Sequence, residues 1–219
     1  MHEVHQGEGN YGSFEREIQR LLQQGHRELD FSKFVIQPDA SLFGPACGPE
    51  SPEIYVGFER GALWGGQMVN HQGFHPKKVV DYAPTTKRVK RGFFVAGEWR
   101  NNADDFESVS GSRPEKEVYL GITYQGRDVY AVFTRSSKGP VELVVTRDGR
   151  PIPAPLRGKD VGVDAHGETL ITIGEPRMYY VITQEDSSAH ELQFLPKSGG
   201  ARICSFTFGD RCLENFDRR

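Results

Sequence analysis

Short runs of β-branched and aromatic residues, separated by turn-forming residues, recur along the chain from Glu53 onward. Runs of this kind are typical of β-strands connected by tight turns. They do not alternate with helical patterns, which argues against a parallel sheet built from strand–helix–strand units. Nine strands are predicted, at residues 54–58, 93–96, 118–124, 129–134, 141–146, 170–173, 178–182, 191–195 and 203–208.

The composition agrees with many short strands rather than a helical bundle. The chain has 219 residues, with 25 Gly, 13 Pro and 24 aromatic residues (14 Phe, 8 Tyr and 2 Trp) but only 3 Met. Gln125-Gly126 predicts a tight hairpin between two strands, and Asp148-Gly149 predicts a two-residue turn with positive φ. We therefore predict an all-β fold, an antiparallel β-sandwich or jelly roll preceded by one short N-terminal helix.

The three cysteines do not form a disulfide framework of the kind that staples small domains, because their number is odd and the chain is large. Three free thiols are the simplest expectation, and a bridge between Cys47 and Cys212 is the alternative. Cys204 shares the alternation of Phe206 and Phe208 in the last predicted strand. We therefore expect Cys204 to be a buried, inert thiol.

The first 25 residues differ from the rest of the chain because their apolar residues follow helical spacing. Ser13 is predicted to cap the helix at its N-terminus, and Gly25 follows its last apolar residue. The helical face contains Phe14, Ile18, Leu21 and Leu22. The predicted organisation is a helical segment at 1–25, a linker with a short strand (34–36) at 26–52, a sandwich at 53–210 and a tail at 211–219.

Charge and hydropathy restrict the classes of partner. Lys and Arg number 27 and Asp and Glu 30, a formal net charge of −3, which argues against a dedicated nucleic-acid binder. The basic segment at 77–91 is interpreted as a solvated face. No apolar run approaches the roughly 18 residues that span a bilayer, so no membrane insertion is expected. The N-terminus lacks a signal-peptide pattern, and a free-standing chain is expected in the cytoplasm.

Motifs for catalysis or cofactor binding are weak in this sequence. Gly7, Gly9 and Gly12 have the spacing of a dinucleotide loop, but neither a preceding apolar strand nor a following parallel strand is predicted. The chain contains no Cys-x-x-Cys and no Gly-x-Ser-x-Gly, and no pattern ties a Ser to a His and an acid. Asp160 and Asp164 suggest an Asx turn rather than a Ca²⁺ site. We expect a non-enzymatic domain without a cofactor.

Three residues are candidates for ligand contact. Trp64 lies between glycines in a loop, where an indole ring can stack on a sugar or a peptide. His71 and His75 lie in a turn-rich segment close by. Together with a distant carboxylate, the two imidazoles are also the alternative basis for a metal site, although no metal is predicted.

The sequence resembles the C-terminal domain that follows the thioredoxin-like domain in bacterial DipZ-type thiol-disulfide proteins. The resemblance covers about residues 52–210, and the segment 7–18 is similar to the final helix of the preceding domain. The matching motifs are Ser51-Pro-Glu-Ile-Tyr-Val-Gly-Phe58, Gly97-Glu-Trp99, Gly158-Lys-Asp-Val-Gly-Val-Asp164, Glu175-Pro-Arg-Met-Tyr179 and Ser205-Phe-Thr-Phe-Gly209.

The resemblance implies an accessory jelly roll, similar to carbohydrate-binding modules, without the catalytic cysteines of the family. It also implies exposure outside the cytoplasm. The expected function is a non-catalytic binding module for a glycan or another small ligand, with Trp64, His71 and His75 as contacts. Two alternatives are a docking or dimerisation scaffold for a thioredoxin-like partner and a metal-dependent jelly-roll enzyme. The oligomeric state and the ligand are left open.

Overall fold

The computed structural model describes residues 11–25, 30, 51–62, 67–90 and 92–209. The chain divides into two compact units, and all the described strands lie in the unit Gly48–Asp210. The other unit contains helix α1 (Tyr11–Gly25), in which Glu17 and Arg20 form an ion pair one turn apart. The N-cap prediction for Ser13 is wrong, because the helix begins two residues earlier, at Tyr11. None of the described helices is long and apolar enough to cross a membrane.

The strands form two sheets. The first sheet is antiparallel and contains β1 (Ile54–Tyr55), β3 (Val79–Tyr82), β5 (Phe106–Ser108), β7 (Asp128–Arg135), β12 (Arg177–Thr183) and β14 (Ala201–Gly209). The second contains β2 (Gln67–Met68), β6 (Tyr119–Tyr124), β8 (Val141–Arg147), β9 (Arg150–Pro151), β10 (Gly162–Val163), β11 (Thr169–Ile173) and β13 (His190–Pro196). A short helix, α2 (Phe58–Gly61), follows β1.

Strand β4 (Gly92–Asn101) belongs to both sheets. The first half of β4 lies in the second sheet, where it pairs antiparallel with β6 on one side and parallel with β2 on the other. The second half lies in the first sheet, where it pairs with β3 and β5. The change of sheet falls at Gly97, which has a φ of 78°. A Cβ atom at this position would lie 2.8 Å from the Glu117 carbonyl oxygen, so both the backbone angle and the space require glycine.

The core lies between the sheets. Phe194 on β13 contacts Phe133 on β7 and Phe206 on β14, with ring centroids 5.4 and 5.3 Å apart. Trp99 on β4 is fully buried, and its indole N–H donates to the Ala96 carbonyl oxygen at 2.9 Å. Because inward side chains of both sheets fill one apolar layer, the prediction of an all-β antiparallel sandwich is confirmed. The jelly-roll topology stays a prediction.

Seven of the nine predicted strands agree with observed ones to within two residues at each end, whereas the strand predicted at 93–96 ends five residues before β4 does. The short strand predicted at 34–36 lies outside the described residues. The strand predicted at 54–58 is too long, because it ends at Tyr55 and helix α2 begins at Phe58. The turn at Asp148-Gly149 is confirmed, with φ angles of 51° and 73° in the hairpin between β8 and β9. The hairpin predicted at Gln125-Gly126 is wrong, because β6 and β7 lie in different sheets.

The expectation for Cys204 is partly wrong. A β-bulge in β14, between Ile203 and Ser205, shifts the register against β7 and breaks the strict alternation of faces. As a result Ile203 and Phe206 are buried, whereas Cys204 is only half-buried and does not share the face of Phe206. Cys204 is a free thiol, and burial raises its pKa to about 11, so it is protonated at neutral pH. Cys47 and Cys212 lie outside the described residues.

Candidate functional site

A pocket of about 320 Å³ opens on the outer face of the second sheet. Its floor is formed by Val144 on β8 and Leu195 on β13, two apolar side chains that alternate with inward-facing core residues of the same strands. The two strands are adjacent, with Val144 and Leu195 directly opposite each other in the register. The remaining lining consists of Ser112, Arg113, Pro114, Glu117, Glu168, Pro196 and Lys197.

The segment 111–118 forms one wall and is fixed by backbone hydrogen bonds. The Ser112 N–H donates to the Pro196 carbonyl oxygen at 2.7 Å, and Arg113 and Lys116 exchange two backbone hydrogen bonds of 3.1 Å. The Ser112 hydroxyl accepts the Val118 N–H at 3.0 Å. Because the Ser112–Pro196 bond ties the wall to the end of β13 and the other bonds brace the wall internally, the pocket is formed before any ligand binds.

A network of charged side chains surrounds Lys197, which also lines the pocket. The Lys197 ammonium lies 3.2 Å from the Asp164 carboxylate and 3.7 Å from the Glu142 carboxylate. Partial burial lowers the pKa of Lys197, but the hydrogen bond to Asp164 and the charges of Asp164, Glu142 and Glu168 together outweigh this effect and raise it. Asp164 also accepts the backbone N–H groups of His166 and Glu168, both at 2.9 Å, which positions Glu168 at the rim.

The hydrogen bonds of this network show what the segment containing Asp160 and Asp164 forms, for which the sequence left a Ca²⁺ loop and a turn as alternatives. The acceptor atoms of Asp164 receive hydrogen bonds from backbone N–H groups and from Lys197, as in an Asx turn. Asp160 in turn binds the Arg177 guanidinium and the Tyr180 N–H. Among the residues that the structure describes, no group of three His, Cys, Asp or Glu side chains is arranged to hold a metal ion.

The charge around the pocket is predominantly negative. Four carboxylates lie in its lining (Glu117 and Glu168) or form ion pairs with Lys197 beside it (Glu142 and Asp164), against the two cations Arg113 and Lys197. Lys197 is shared between two of these acids. Arg113 is exposed, and its guanidinium forms no hydrogen bond or ion pair with the described part of the chain. It is therefore available to a ligand.

The pocket continues into an apolar strip on the same face of the sheet. Leu195 packs against a small cluster that includes Phe94 on β4 and Tyr119 on β6, whose rings meet edge to face at 6.1 Å. The Arg88 guanidinium lies 3.7 Å above the Phe94 ring and pairs with Glu191. The segment carrying Arg88 thus covers the aromatic part of the strip and leaves the end at Leu195 open.

Of the residues predicted as ligand contacts, His71 and His75 do not line this pocket. Trp64 lies outside the described residues. His71 is exposed in the turn after β2, and His75 is half-buried, with its backbone N–H donating to the Asn101 side chain at 3.0 Å. Tyr82 holds the same loop, because its hydroxyl donates towards the Gly73 carbonyl oxygen and the Asn101 side chain at 3.0 and 2.8 Å.

Sequence reasoning did not identify the pocket, although a signal was present. In a solvated sheet face the outward positions are polar, whereas Val144 and Leu195 place branched apolar side chains there. The charged rim comes from four segments far apart in sequence, at 113–117, 142, 164–168 and 197. Their convergence depends on strand pairing that the sequence does not specify.

A second polar constellation lies at the opposite end of β13. The Ser188 hydroxyl is 2.7 Å from Nε2 of His190, and Nδ1 of His190 is 2.8 Å from the Asp148 carboxylate. Asp186 accepts both the hydroxyl and the backbone N–H of Ser188. Sequence reasoning tied no serine to a histidine and an acid, because Asp148 lies 42 residues before His190 and is brought to it by the turn after β8.

The described strands thus define an all-β antiparallel sandwich domain with a preformed surface pocket. The family model of the thioredoxin-like C-terminal domain matches residues 51–209. The chain belongs to this family, and its sandwich is the accessory domain that the family describes.

Comparison with curated proteins gives no match. Among solved structures, the chain is similar to a family two carbohydrate esterase from Clostridium thermocellum in complex with cellohexaose, with 12% identity and a TM-score of 0.35 over 48% of this chain and 27% of that one. A family two carbohydrate esterase from Cellvibrio japonicus gives 15% identity and a TM-score of 0.39 over 53% and 30%. The chain spans less than a third of either esterase, and a likeness this weak assigns no activity.

Proposed function

We propose that this accessory domain is a binding module whose pocket on the second sheet holds a short stretch of glycan. The observation that carries the proposal is the pairing of an apolar floor, Val144 and Leu195, with a rim of charged side chains. A sugar ring has the complementary surface, since its C–H groups form an apolar face and its hydroxyls lie around the edge. Binding at this pocket requires no catalytic residue.

Each part of the pocket has a role in this proposal. Leu195 and Val144 remove the C–H face of the sugar from water, and Pro114 closes the side of the floor. Arg113 donates to ring hydroxyls, and Glu117 accepts from them, so that neighbouring hydroxyls are bound as donor and acceptor pairs. Because the wall is already fixed by its backbone bonds, binding costs little ordering of the protein.

The charge of the rim narrows the class of glycan. With four carboxylates against two cations, a uronic acid or a sulfated sugar would meet net repulsion. Neutral sugars and sugars that carry an amine are therefore the proposed ligands.

Titration calorimetry against size-matched neutral, amine-bearing and acidic oligosaccharides tests this proposal. We expect binding of the first two classes, weakened about tenfold or more by Arg113→Ala or Leu195→Ala, which corresponds to at least about 1.4 kcal/mol. Arg150→Ala, at an exposed position on β9, is the matched control and should bind normally. Absence of binding by all three classes, or unchanged binding by both pocket variants, would overturn the proposal.

The loop that contains Trp64, His71 and His75 is proposed as a separate contact region. Trp64→Ala and His71→Ala test it in the same titrations, and a loss of affinity in these variants alone would assign the ligand to the loop instead of the pocket.

A second candidate function is docking to a thioredoxin-like domain. The outer face of the first sheet favours it, because Met178 on β12 is 54% exposed beside the stacked rings of Tyr130 and Tyr180, which lie 4.7 Å apart. Met178→Asp should abolish co-elution with an added thioredoxin-like domain in size-exclusion chromatography, whereas Val109→Asp, at another exposed apolar residue, should not. Equal elution of all three chains with or without that domain would exclude docking through this face.

A further inference from the structure

We propose that Ser188 is an activated nucleophile that reacts with small acyl esters, with His190 as its general base and Asp148 as the positioning residue of the histidine. The proposal goes beyond ligand binding, because the three residues lie at the opposite end of β13 from the pocket. It rests on the order of the contacts. The Ser188 hydroxyl lies 2.7 Å from Nε2 of His190, and Nδ1 of the same ring lies 2.8 Å from the Asp148 carboxylate. This is the sequence of atoms that general-base activation of a serine requires.

The backbone holds Asp148 in place for this role. Asp148 and Gly149 form the two-residue turn between β8 and β9, with both φ angles positive. The Asp148 carboxylate accepts the Glu191 N–H at 3.0 Å, and the Asp148 N–H donates to the Glu191 carbonyl oxygen at 2.9 Å. These two bonds fix the carboxylate next to His190, the neighbour of Glu191 on β13.

The carboxylate orients the imidazole. Partial burial raises the pKa of Asp148, but the Glu191 N–H and the hydrogen bond with His190 outweigh this effect and lower it. The ionised carboxylate favours a proton on Nδ1 of His190. In the neutral imidazole Nε2 is then free to accept the proton of the Ser188 hydroxyl.

Asp186 is a competing acceptor. Its carboxylate accepts hydrogen bonds from both the hydroxyl and the backbone N–H of Ser188. The Ser188 hydroxyl can therefore donate either to Asp186 or to Nε2 of His190. Two other groups bear on this network: the charge of Arg147 on β8 favours ionised Asp148 and Asp186, and the Tyr124 ring on β6 has its centroid 6.1 Å from that of His190. Removing the Asp186 charge should direct the Ser188 hydroxyl towards His190.

The proposed reaction is acyl transfer in two steps. The Ser188 oxygen forms a bond to the acyl carbon of the ester while its proton passes to Nε2 of His190, and the alcohol leaves with that proton. Water then attacks the acyl-serine with His190 again as the base, which releases the carboxylic acid and restores the hydroxyl. Because Ser188 is exposed, the substrates are unhindered, activated esters.

The test uses the full chain with a fluorophosphonate probe and with p-nitrophenyl acetate. Peptide mass spectrometry should locate a phosphonate adduct on Ser188, and ester hydrolysis should be lost in Ser188→Ala. His190→Ala should slow both reactions about 100-fold, the order of a general-base contribution. Ser187→Ala is the matched control for a neighbouring hydroxyl and should react as the unmodified chain does.

Two further variants separate activation from a structural role. Asp148→Asn should lower the labelling rate and move the pH of half-maximal labelling to a lower value, and Asp186→Asn should raise the rate. Circular dichroism melts confirm that each variant is folded. The proposal fails if Ser188 is labelled no faster than other exposed serines, or if His190→Ala leaves its labelling rate unchanged.

Discussion

Arg202 on β14 forms a two-point ion pair with Asp105, in which Nε lies 3.1 Å from one carboxylate oxygen and Nη2 lies 2.7 Å from the other. The Asp105 side chain is 3% exposed and the Arg202 side chain 33% exposed. The pair connects the last strand to the loop before β5 and joins segments almost 100 residues apart.

We expect Asp105→Ala to destabilise the domain by about 2 kcal/mol, because it leaves a partly buried guanidinium without its acid. The value lies below that for a fully buried pair because water reaches Arg202. Urea unfolding followed by fluorescence measures the change. Asp81→Ala removes an exposed partner of Lys116 and should cost much less, because solvent screens this pair. Equal losses in the two variants would contradict the assigned role of burial.

Gly97→Ala tests the point at which β4 passes from one sheet to the other. The φ of 78° is unfavourable for alanine, and the new Cβ would approach both the Glu117 carbonyl oxygen and the Val118 side chain at 2.8 Å. We expect a loss of about 2–4 kcal/mol in the free energy of unfolding, from strain and the clash together. In the control Gly139→Ala, no atom lies within 4 Å of the added Cβ, so thermal melting should be nearly unchanged. A similar melting temperature for both variants would refute this account.

Cys204 should react slowly with alkylating reagents in the folded chain. Burial raises its pKa to about 11 from an ordinary 9.0, which lowers its thiolate fraction at pH 8 about 100-fold. The rate of carbamidomethylation, measured by peptide mass spectrometry, should still rise about tenfold per pH unit between pH 9 and 10. The same peptide in denaturant should level off near pH 9. A folded-state rate that levels off at the same pH would contradict the effect of burial.

Asp160 should make part of the stability dependent on acid pH. Partial burial raises the pKa of Asp160, but hydrogen bonds from Arg177 and the Tyr180 N–H outweigh it and lower the pKa below its ordinary 3.8. A lowered pKa in the folded state contributes stability that is present above 3.8 and lost as pH falls through the folded-state value.

Asp160→Asn should therefore destabilise the domain at neutral pH, and the difference from the unmodified chain should shrink between pH 4 and 2. Melting temperatures across this range measure the effect. Asp104→Asn, at an exposed carboxylate, shows whether the loss of any acid gives the same profile. A difference at Asp160 that does not change with pH would rule out this linkage.

The strands that the sequence predicted are those with enough residues to show alternation. Strand β8 buries Val141, Leu143 and Val145 and turns the residues between them outward, so its pattern is visible without a structure. Strands of two to four residues, such as β2, β5 and β9, contain too few residues to show an alternation of period two, so the sequence pattern does not predict them.

The resemblance of the sequence to the accessory domain agrees with the family match at residues 51–209.

The sequence by itself determined the fold class, because burial on one face of each strand requires an alternation that can be counted along the chain. It could not determine which strands pair, and the candidate sites depend on that pairing. Val144 meets Leu195 only because β8 and β13 are neighbours, and Asp148 meets His190 at the other end of the same two strands. The bulge that moves Cys204 off the core face also depends on strand pairing. A bulge is an extra residue in one strand compared with its partner, so it can be recognised only once β14 is paired with β7.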